Sequence, residues 1–342
     1  MQAIVLHGKN DLRYHADYPK PMPAPGEVLL RMTYTSICQT DIELWHRGMF
    51  RNPNTPRILG HEAAGIVEEL GECVTTLAVG DRIAVENVRT CGTCIFCRKG
   101  RASLCENGRN FGFSDNGGLA EYAVWPANLC IRLPDNMTNE EAPLAEPTSV
   151  AVHAVMNSEI HVGDTAAVIG CGVVGLVTLQ VLQAAGAKVV AIDPREQSLA
   201  LAKELGATGA LNPSTDDPTE LLPGLTNGYG PDVVIETAGA PGTALNAVQW
   251  VRRGGRAVIV GFSAVPDELN FARTLMGEKT VMGSAATGTG EYQKAVDLIA
   301  RGLVNVKPLI SARVTLEKGI PNGFERMLKP EKDVFRILVG NG

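Results

Sequence analysis

Several things are scarce in this chain, and each scarcity closes a class of function. Positive charge is not in excess: 31 Lys and Arg stand against 37 Asp and Glu, a formal net charge of −6. That leaves no basic footprint for nucleic acid or an anionic membrane surface, and neither is expected as a partner. Long apolar runs are missing as well. The longest uncharged stretch, Thr165–Ala187, is broken by Gln180, Gln183 and several glycines, and its apolar part is too short to span a bilayer. The apolar patch near Met1 is far shorter than a secretory hydrophobic region, so a cytoplasmic protein is expected. No internal repeat or low-complexity segment occurs. Histidine is also sparse, with six in the chain, so few side chains compete for any imidazole role.

What is present divides near residue 150. The 342 residues suggest about two domains. In the first half, Val28, Leu30, Met32 and Tyr34 alternate with Arg31 and Thr33, the period of a half-buried strand. Pro19, Pro21, Pro23 and Pro25 make the approach to it a connection. Strand-like pieces follow at Gly65–Leu70 and Arg82–Val85, so a small β-barrel is the expected core. After residue 160 the pattern changes to alternating strand and helix. Lys188–Ile192 is a short apolar strand, Asp232–Glu236 and Arg256–Val260 read as short buried strands, and Thr280–Gly283 is a further apolar piece that closes the sheet. Arg195–Leu205, Thr243–Arg253 and Glu291–Ala300 read as helices, a doubly wound parallel sheet in total.

That second half opens on Gly170-x-Gly172-x-x-Gly175, preceded by the apolar run Ala166–Ile169 and followed by a helix too apolar to face water. Asp193 ends the next strand. Strand, glycine turn, buried helix, strand and acid together form the context a dinucleotide fingerprint requires. Gly170 permits the turn, Gly172 lets a pyrophosphate approach, and Gly175 lets helix and strand pack closely. Val173 and Val174 open a helix whose free N–H groups face the phosphates. A carboxylate at 193 hydrogen-bonds an adenosine ribose diol and repels a 2′-phosphate, which predicts NAD over NADP, with Arg195 softening the repulsion. The plainer reading is a glycine loop in an ordinary α/β unit.

The eight cysteines sort into three groups. Cys91, Cys94, Cys97 and Cys105 form C-x2-C-x2-C-x7-C, which suits a tetrahedral structural Zn²⁺. An iron–sulfur cluster is the rival, although its usual last gap is three residues and a proline follows. Disulfides are disfavoured where no export signal is present. Cys73, Cys130 and Cys171 are expected to be small buried hydrophobes. Cys38 belongs to a dispersed set with Gly60-His61-Glu62 and Glu146-Pro147. A catalytic zinc takes three protein ligands and keeps one position open, which Cys38, His61 and a carboxylate would supply. Spacing alone leaves this open against a buried Cys, a turn His and solvated glutamates.

Gly60-His61-Glu62, Gly80-Asp81-Arg82, the four-cysteine lobe, Gly117-Gly118-Leu-Ala-Glu121-Tyr122, Glu146-Pro147 and the 170–175 fingerprint stand in an order that resembles the zinc-dependent medium-chain dehydrogenases over nearly the whole chain. Glu146-Pro-x-Ser-Val-x-x-His153-Ala is most similar to the polyol branch: sorbitol, butanediol and threonine dehydrogenases. The resemblance implies a GroES-like catalytic domain (1–151 and 289–342, with a zinc lobe at 88–107) and a Rossmann coenzyme domain (152–288). It implies two zinc ions per chain: a catalytic one on Cys38, His61 and either Glu62 or Glu146, and a structural one on Cys91, Cys94, Cys97 and Cys105. It further implies NAD-dependent oxidation of a secondary alcohol in a polyol, diol or sugar, with the corresponding ketone as product, in a homodimer or homotetramer. Threonine-type and aldose-type dehydrogenases are the alternatives. A non-catalytic relative would have lost Cys38, His61 or the glycines, and none is lost.

Thr40, two residues past Cys38, is placed to accept the alcohol proton. Two departures from the polyol pattern occur: Gln39 replaces the usual Gly, and Glu43 stands where a His usually passes protons to solvent. Archaeal sugar dehydrogenases of the family resemble this chain in having Glu there. Glu43 is expected either to relay protons or, preferably, to accept a hydrogen bond from a second substrate hydroxyl.

Overall fold

The computed structural model describes residues 1–48, 56–329 and 334–340. The chain divides into two compact units. One comprises Met1–Glu146, Gly288–Ala300 and Val306–Gly342; the other comprises Pro147–Thr287 and Arg301–Asn305. The first boundary falls inside the helix Ala145–Ser158.

The first unit is built around the strand Glu27–Ser36. It pairs antiparallel with Glu62–Leu70, with Tyr122–Pro126 and with Arg336–Gly340. The sheet continues through Arg82–Val85 and Cys130–Arg132 on one side and Ile310–Val314 on the other. The alternation anticipated at 28–34 has a physical outcome: Val28, Leu30 and Met32 share one apolar cluster with Val67, Ile83, Val85 and Trp125. Strand registers matter most here. Ser36 lies opposite Glu62 and also opposite Leu338, so three distant segments of the chain meet at one end of the sheet.

The second unit is a six-stranded parallel sheet ordered Gly209–Leu211, Lys188–Ile192, Thr165–Ile169, Val233–Glu236, Arg256–Ile259 and Thr280–Gly283. In sequence order this is 3-2-1-4-5-6, the doubly wound arrangement with a switch point beside the first strand. Thr165–Ile169 and Val233–Glu236 are buried at every residue, as central parallel strands covered on both faces must be. The helix Val173–Ala184 is likewise buried nearly all round, which explains the absence of charge along it. Among the described residues no helix is long and apolar enough to cross a membrane.

One expectation is corrected. Cys130 and Cys171 are buried, but Cys73 is exposed. It follows Gly71-Glu72 at φ +67°, in a turn where the backbone, not core packing, sets its place.

Candidate active site

Cys38 ends the central strand's extension and caps the short helix Gln39–Ile42. His61 and Glu62 begin the neighbouring strand. Because Ser36 pairs with Glu62, antiparallel geometry carries Cys38 to His61, and ligand atoms of Cys38, His61 and Glu62 all lie within 4.8 Å of one another. Gly60 makes the approach possible. Its φ of +92° and the Thr35 methyl 2.6 Å from where a Cβ would sit exclude a larger residue.

Around these three stands a second layer that sequence reasoning did not find. Asp41, fully buried, accepts the Cys38 N–H at 2.9 Å with one oxygen and sets the other 3.5 Å from His61 Nδ1. It stands three residues past Cys38, so its proximity was legible while its role was not. Arg336 donates to both oxygens of Glu62, at 2.9 and 2.7 Å, and its Nη2 lies 3.6 Å from Cys38 Sγ. Ser36 also donates to Glu62. Burial lowers the guanidinium's proton affinity, but the Glu62 charge outweighs it and Arg336 is raised above the ordinary arginine value. Burial likewise works against the His61 imidazolium, and Asp41 with Cys38 more than reverses that.

Glu146, the other expected carboxylate, is outside the 4.8 Å cluster. Its Oε1 accepts from Asn87 Nδ2 at 3.4 Å, and burial raises its pKa to about 7. Thr40 Oγ1 is 3.6 Å from Cys38 Sγ. Glu43 accepts from Gln39 Nε2 at 3.1 Å and lies 3.1 Å from Arg47 Nε, so the two residues that depart from the polyol pattern are partners.

Cys91, Cys94, Cys97 and Cys105 converge with all four sulfurs within 4.8 Å. Sulfur–sulfur separations of 3.9 Å for Cys91–Cys97 and 3.5 Å for Cys94–Cys97 bracket the ~3.8 Å edge of a tetrahedron with zinc–sulfur bonds of ~2.3 Å. Backbone N–H groups point at the sulfurs: Cys94 N–H at Cys91 and Cys97 N–H at Cys94, each at 3.4 Å. Such donors near Thr93 and Cys94 draw the Cys91 thiol down to about 5, the thiolate form a metal requires. The donor set fits a soft divalent ion.

In the second unit Gly170 turns at φ +89°, and a Cβ there would meet Ala238 at 2.8 Å. A Cβ on Gly175 would fall 1.7 Å from the Gly170 carbonyl oxygen. Gly172 differs: a Cβ there meets nothing within 4 Å, leaving an open face at the N-cap of the helix begun by Val173 and Val174. Two of the glycines serve packing and one leaves room for a ligand backbone to come close. Asp193, 3% exposed, accepts the Cys171 N–H at 2.7 Å beside this loop.

A sulfur, imidazole and carboxylate set that could hold a metal, in a β-sheet unit, together with a glycine-rich loop in a doubly wound unit, fits a metal-assisted nicotinamide dehydrogenase. Comparison with known proteins gives the family. Residues 24–135 match the alcohol dehydrogenase GroES-like domain and residues 173–301 the zinc-binding dehydrogenase domain. L-threonine 3-dehydrogenase of Bacillus velezensis is 34% identical, covering 96% of both chains. Human sorbitol dehydrogenase is 36% identical over 96% of this chain and 92% of its own. A solved Sinorhizobium meliloti protein described as a zinc-binding dehydrogenase, bound to NADP, superposes with a TM-score of 0.93 at 31% identity, covering 99% and 98% of the two chains. The chain belongs to the zinc-dependent medium-chain alcohol dehydrogenases: it is an oxidoreductase that uses zinc and a nicotinamide coenzyme, with a GroES-like domain and a Rossmann domain.

Proposed function

We propose that this enzyme oxidises a secondary alcohol of a polyol, vicinal diol or sugar with NAD, and reduces the matching ketone. The observation that carries the reading is the Cys38–His61–Glu62 cluster, a three-ligand set that leaves a coordination position for substrate. When bound, zinc supplies Lewis acidity toward the alcohol oxygen and the nicotinamide ring accepts the hydride. The chain's own residues do the rest. Cys38, His61 and Glu62 hold the catalytic ion, with Glu146 the carboxylate that can exchange for Glu62. Asp41 fixes the orientation of His61, as a carboxylate behind a metal-bound imidazole does. Arg336 and Ser36 hold the Glu62 carboxylate in place by donating to it. Thr40 takes the alcohol proton, and Glu43 reaches a second substrate hydroxyl by exchanging its Gln39 partner for it.

The four-cysteine lobe holds a second, structural zinc, supported by its sulfur spacing. NAD is preferred over NADP because Asp193 stands at the end of the second strand, where a carboxylate disfavours a 2′-phosphate. A homo-oligomer built through the second unit is supported by its edge strand Thr280–Gly283, mostly exposed, beside Phe271, Leu275 and Met276, each at least 70% exposed. Eight free cysteines suit the reducing cytoplasm. The likeness to L-threonine 3-dehydrogenase favours an amino alcohol as the second reading.

The test is coenzyme reduction over a panel of polyols, vicinal diols, aldoses and L-threonine with NAD and NADP. We expect the highest kcat/KM for a polyol or diol with NAD. Turnover of L-threonine alone transfers the assignment to the second reading, and no turnover of any member overturns both. A monomeric mass by light scattering removes the oligomer.

A further inference from the structure

Two arginines of the first unit are buried, and they differ in what faces them. Arg336, 5% exposed, is matched by the Glu62 carboxylate. Arg57, 4% exposed, has its Nε and Nη1 buried without a hydrogen-bond partner, and no carboxylate pairs with it among the described residues. Burial lowers the guanidinium's proton affinity, and no neighbouring charge acts against that. A cation held out of water without a counter-charge is strongly unfavourable, so the position calls for an acceptor that the chain does not supply. Its place in the fold says where such an acceptor comes from. Arg57 opens the short strand Arg57–Ile58, opposite Leu6, four residues before His61. At most about 14 Å of chain separates it from that ligand. Leu6 and Ile58 share an apolar cluster with Ile42, Leu44 and Trp45, which follow Cys38 and Thr40. Phe113 packs on the same cluster, its ring centroid 4.4 Å from that of His61. The indole Nε1 of Trp45 is a second buried donor with no partner. Both orphaned groups can only donate, and they stand on the two segments that carry Cys38 and His61.

We infer that Arg57 is a specificity-determining residue that receives an oxyanion group of the substrate, carboxylate or phosphate, with Trp45 as a second donor. The polyol this enzyme oxidises is then an acid or a phosphate ester, not a neutral one. The inference rests on the secondary-alcohol reading above and narrows its substrate class. A guanidinium presents parallel N–H donors that fit either oxyanion. The bound anion brings the missing counter-charge, and its bonds form away from water, where charge-assisted hydrogen bonds are strong. A neutral polyol can satisfy the donors with its hydroxyls but leaves the buried charge unmatched. That difference sets the preference.

The test measures kcat/KM with NAD on the zinc-loaded enzyme for five- and six-carbon polyols, the matching aldonates and the matching polyol phosphates. It compares the parent, Arg57→Met and Arg57→Lys, and records each protein's melting temperature with and without the anionic compounds. We expect the parent to favour one anionic series over the neutral one by about 10-fold or more, the size of one charge-assisted contact. Arg57→Met loses that preference through KM, and Arg57→Lys, which keeps the charge without the fork, retains part of it. Whichever series wins tells carboxylate from phosphate. Without ligand, Arg57→Met melts no lower than the parent, since it removes an unmatched buried charge, and the favoured anion raises the parent's melting temperature more than the variant's. Three results overturn the inference and leave the secondary-alcohol reading standing: a parent that prefers neutral polyols, a preference that survives in Arg57→Met, or a variant that melts lower and loses neutral and anionic substrates alike. Failure of the parent to turn over any member overturns that reading, and the inference with it.

Discussion

Glu86 offers the sharpest test of the electrostatics in the first unit. It follows the strand Arg82–Val85, and burial, with Glu291 as a like-charged neighbour, raises its carboxyl from 4.5 to about 7. At about 1.36 kcal/mol per pKa unit, keeping Glu86 ionised in the fold costs of the order of 3 kcal/mol relative to the unfolded chain. A carboxyl raised by folding binds its proton more tightly in the native state. Below about pH 4.5 both states are protonated and nothing is lost. Between about 4.5 and 7 the unfolded chain ionises first and native stability falls; above 7 the whole cost is present. Glu86→Gln keeps the shape and removes the charge. We therefore expect the variant to match the parent near pH 4.5 to 5, and to gain stability progressively to pH 8, by up to about 3 kcal/mol. Urea midpoints of parent and variant across this range give the difference directly, with effects common to both proteins cancelling. An offset independent of pH, or one larger at pH 5 than at pH 8, refutes the reasoning.

Replacing Cys97 with Ser should lower the unfolding temperature sharply, since structural zinc binding is part of the folding free energy. Cys38→Ser should leave the melting curve near the parent's, remove turnover and release one zinc by metal analysis; equal unfolding of both variants would contradict the division between the ions. Glu43→Gln should raise KM for polyols about 5-fold, the loss of roughly 1 kcal/mol in one hydrogen bond, with KM for a simple secondary alcohol unmoved. An unaltered polyol KM rules out substrate contact, and a fall in kcat greatest at low pH would instead support proton relay.

How much was legible follows from how local each constraint is. The strands Lys188–Ile192 and Thr280–Gly283 and the helix Glu291–Ala300 lie where their apolar patterns put them. Lys188–Ile192 is buried after its first residue and the helix buries Tyr292, Ala295, Val296 and Ile299, whereas Thr280–Gly283 is a mostly exposed edge strand; in each the pattern is written in adjacent residues. The short pieces Gly209–Leu211 and Ile310–Val314 went unread. Gly-Ala-Leu is too short and Ile-Ser-Ala-Arg-Val too mixed to show an apolar run or alternation, and such strands exist because a neighbour supplies the hydrogen bonds. The cysteine lobe was readable because its four ligands span 15 residues (91 to 105), so one turn-rich loop assembles it. Cys38, His61 and Glu62 were legible only through the order of motifs, because a strand register brings them together.

Arg336 shows where legibility ends. It opens a five-residue apolar strand, Arg336–Gly340, and is 5% exposed. By composition alone it reads as the charged edge of a strand facing water. Its partner Glu62 lies 274 positions away, and no local pattern encodes that separation. Yet the pairing is physically required once the fold exists: Glu62 is fully buried, and an isolated carboxylate there would take up a proton sooner than remain charged. Arg336 supplies the counter-charge, donating to both oxygens of the carboxylate. The register that sets Ser36 against both Glu62 and Leu338 is thus what makes the carboxylate usable. The buried carboxylate depends on the strand Arg336–Gly340 as much as on the motif Gly60-His61-Glu62.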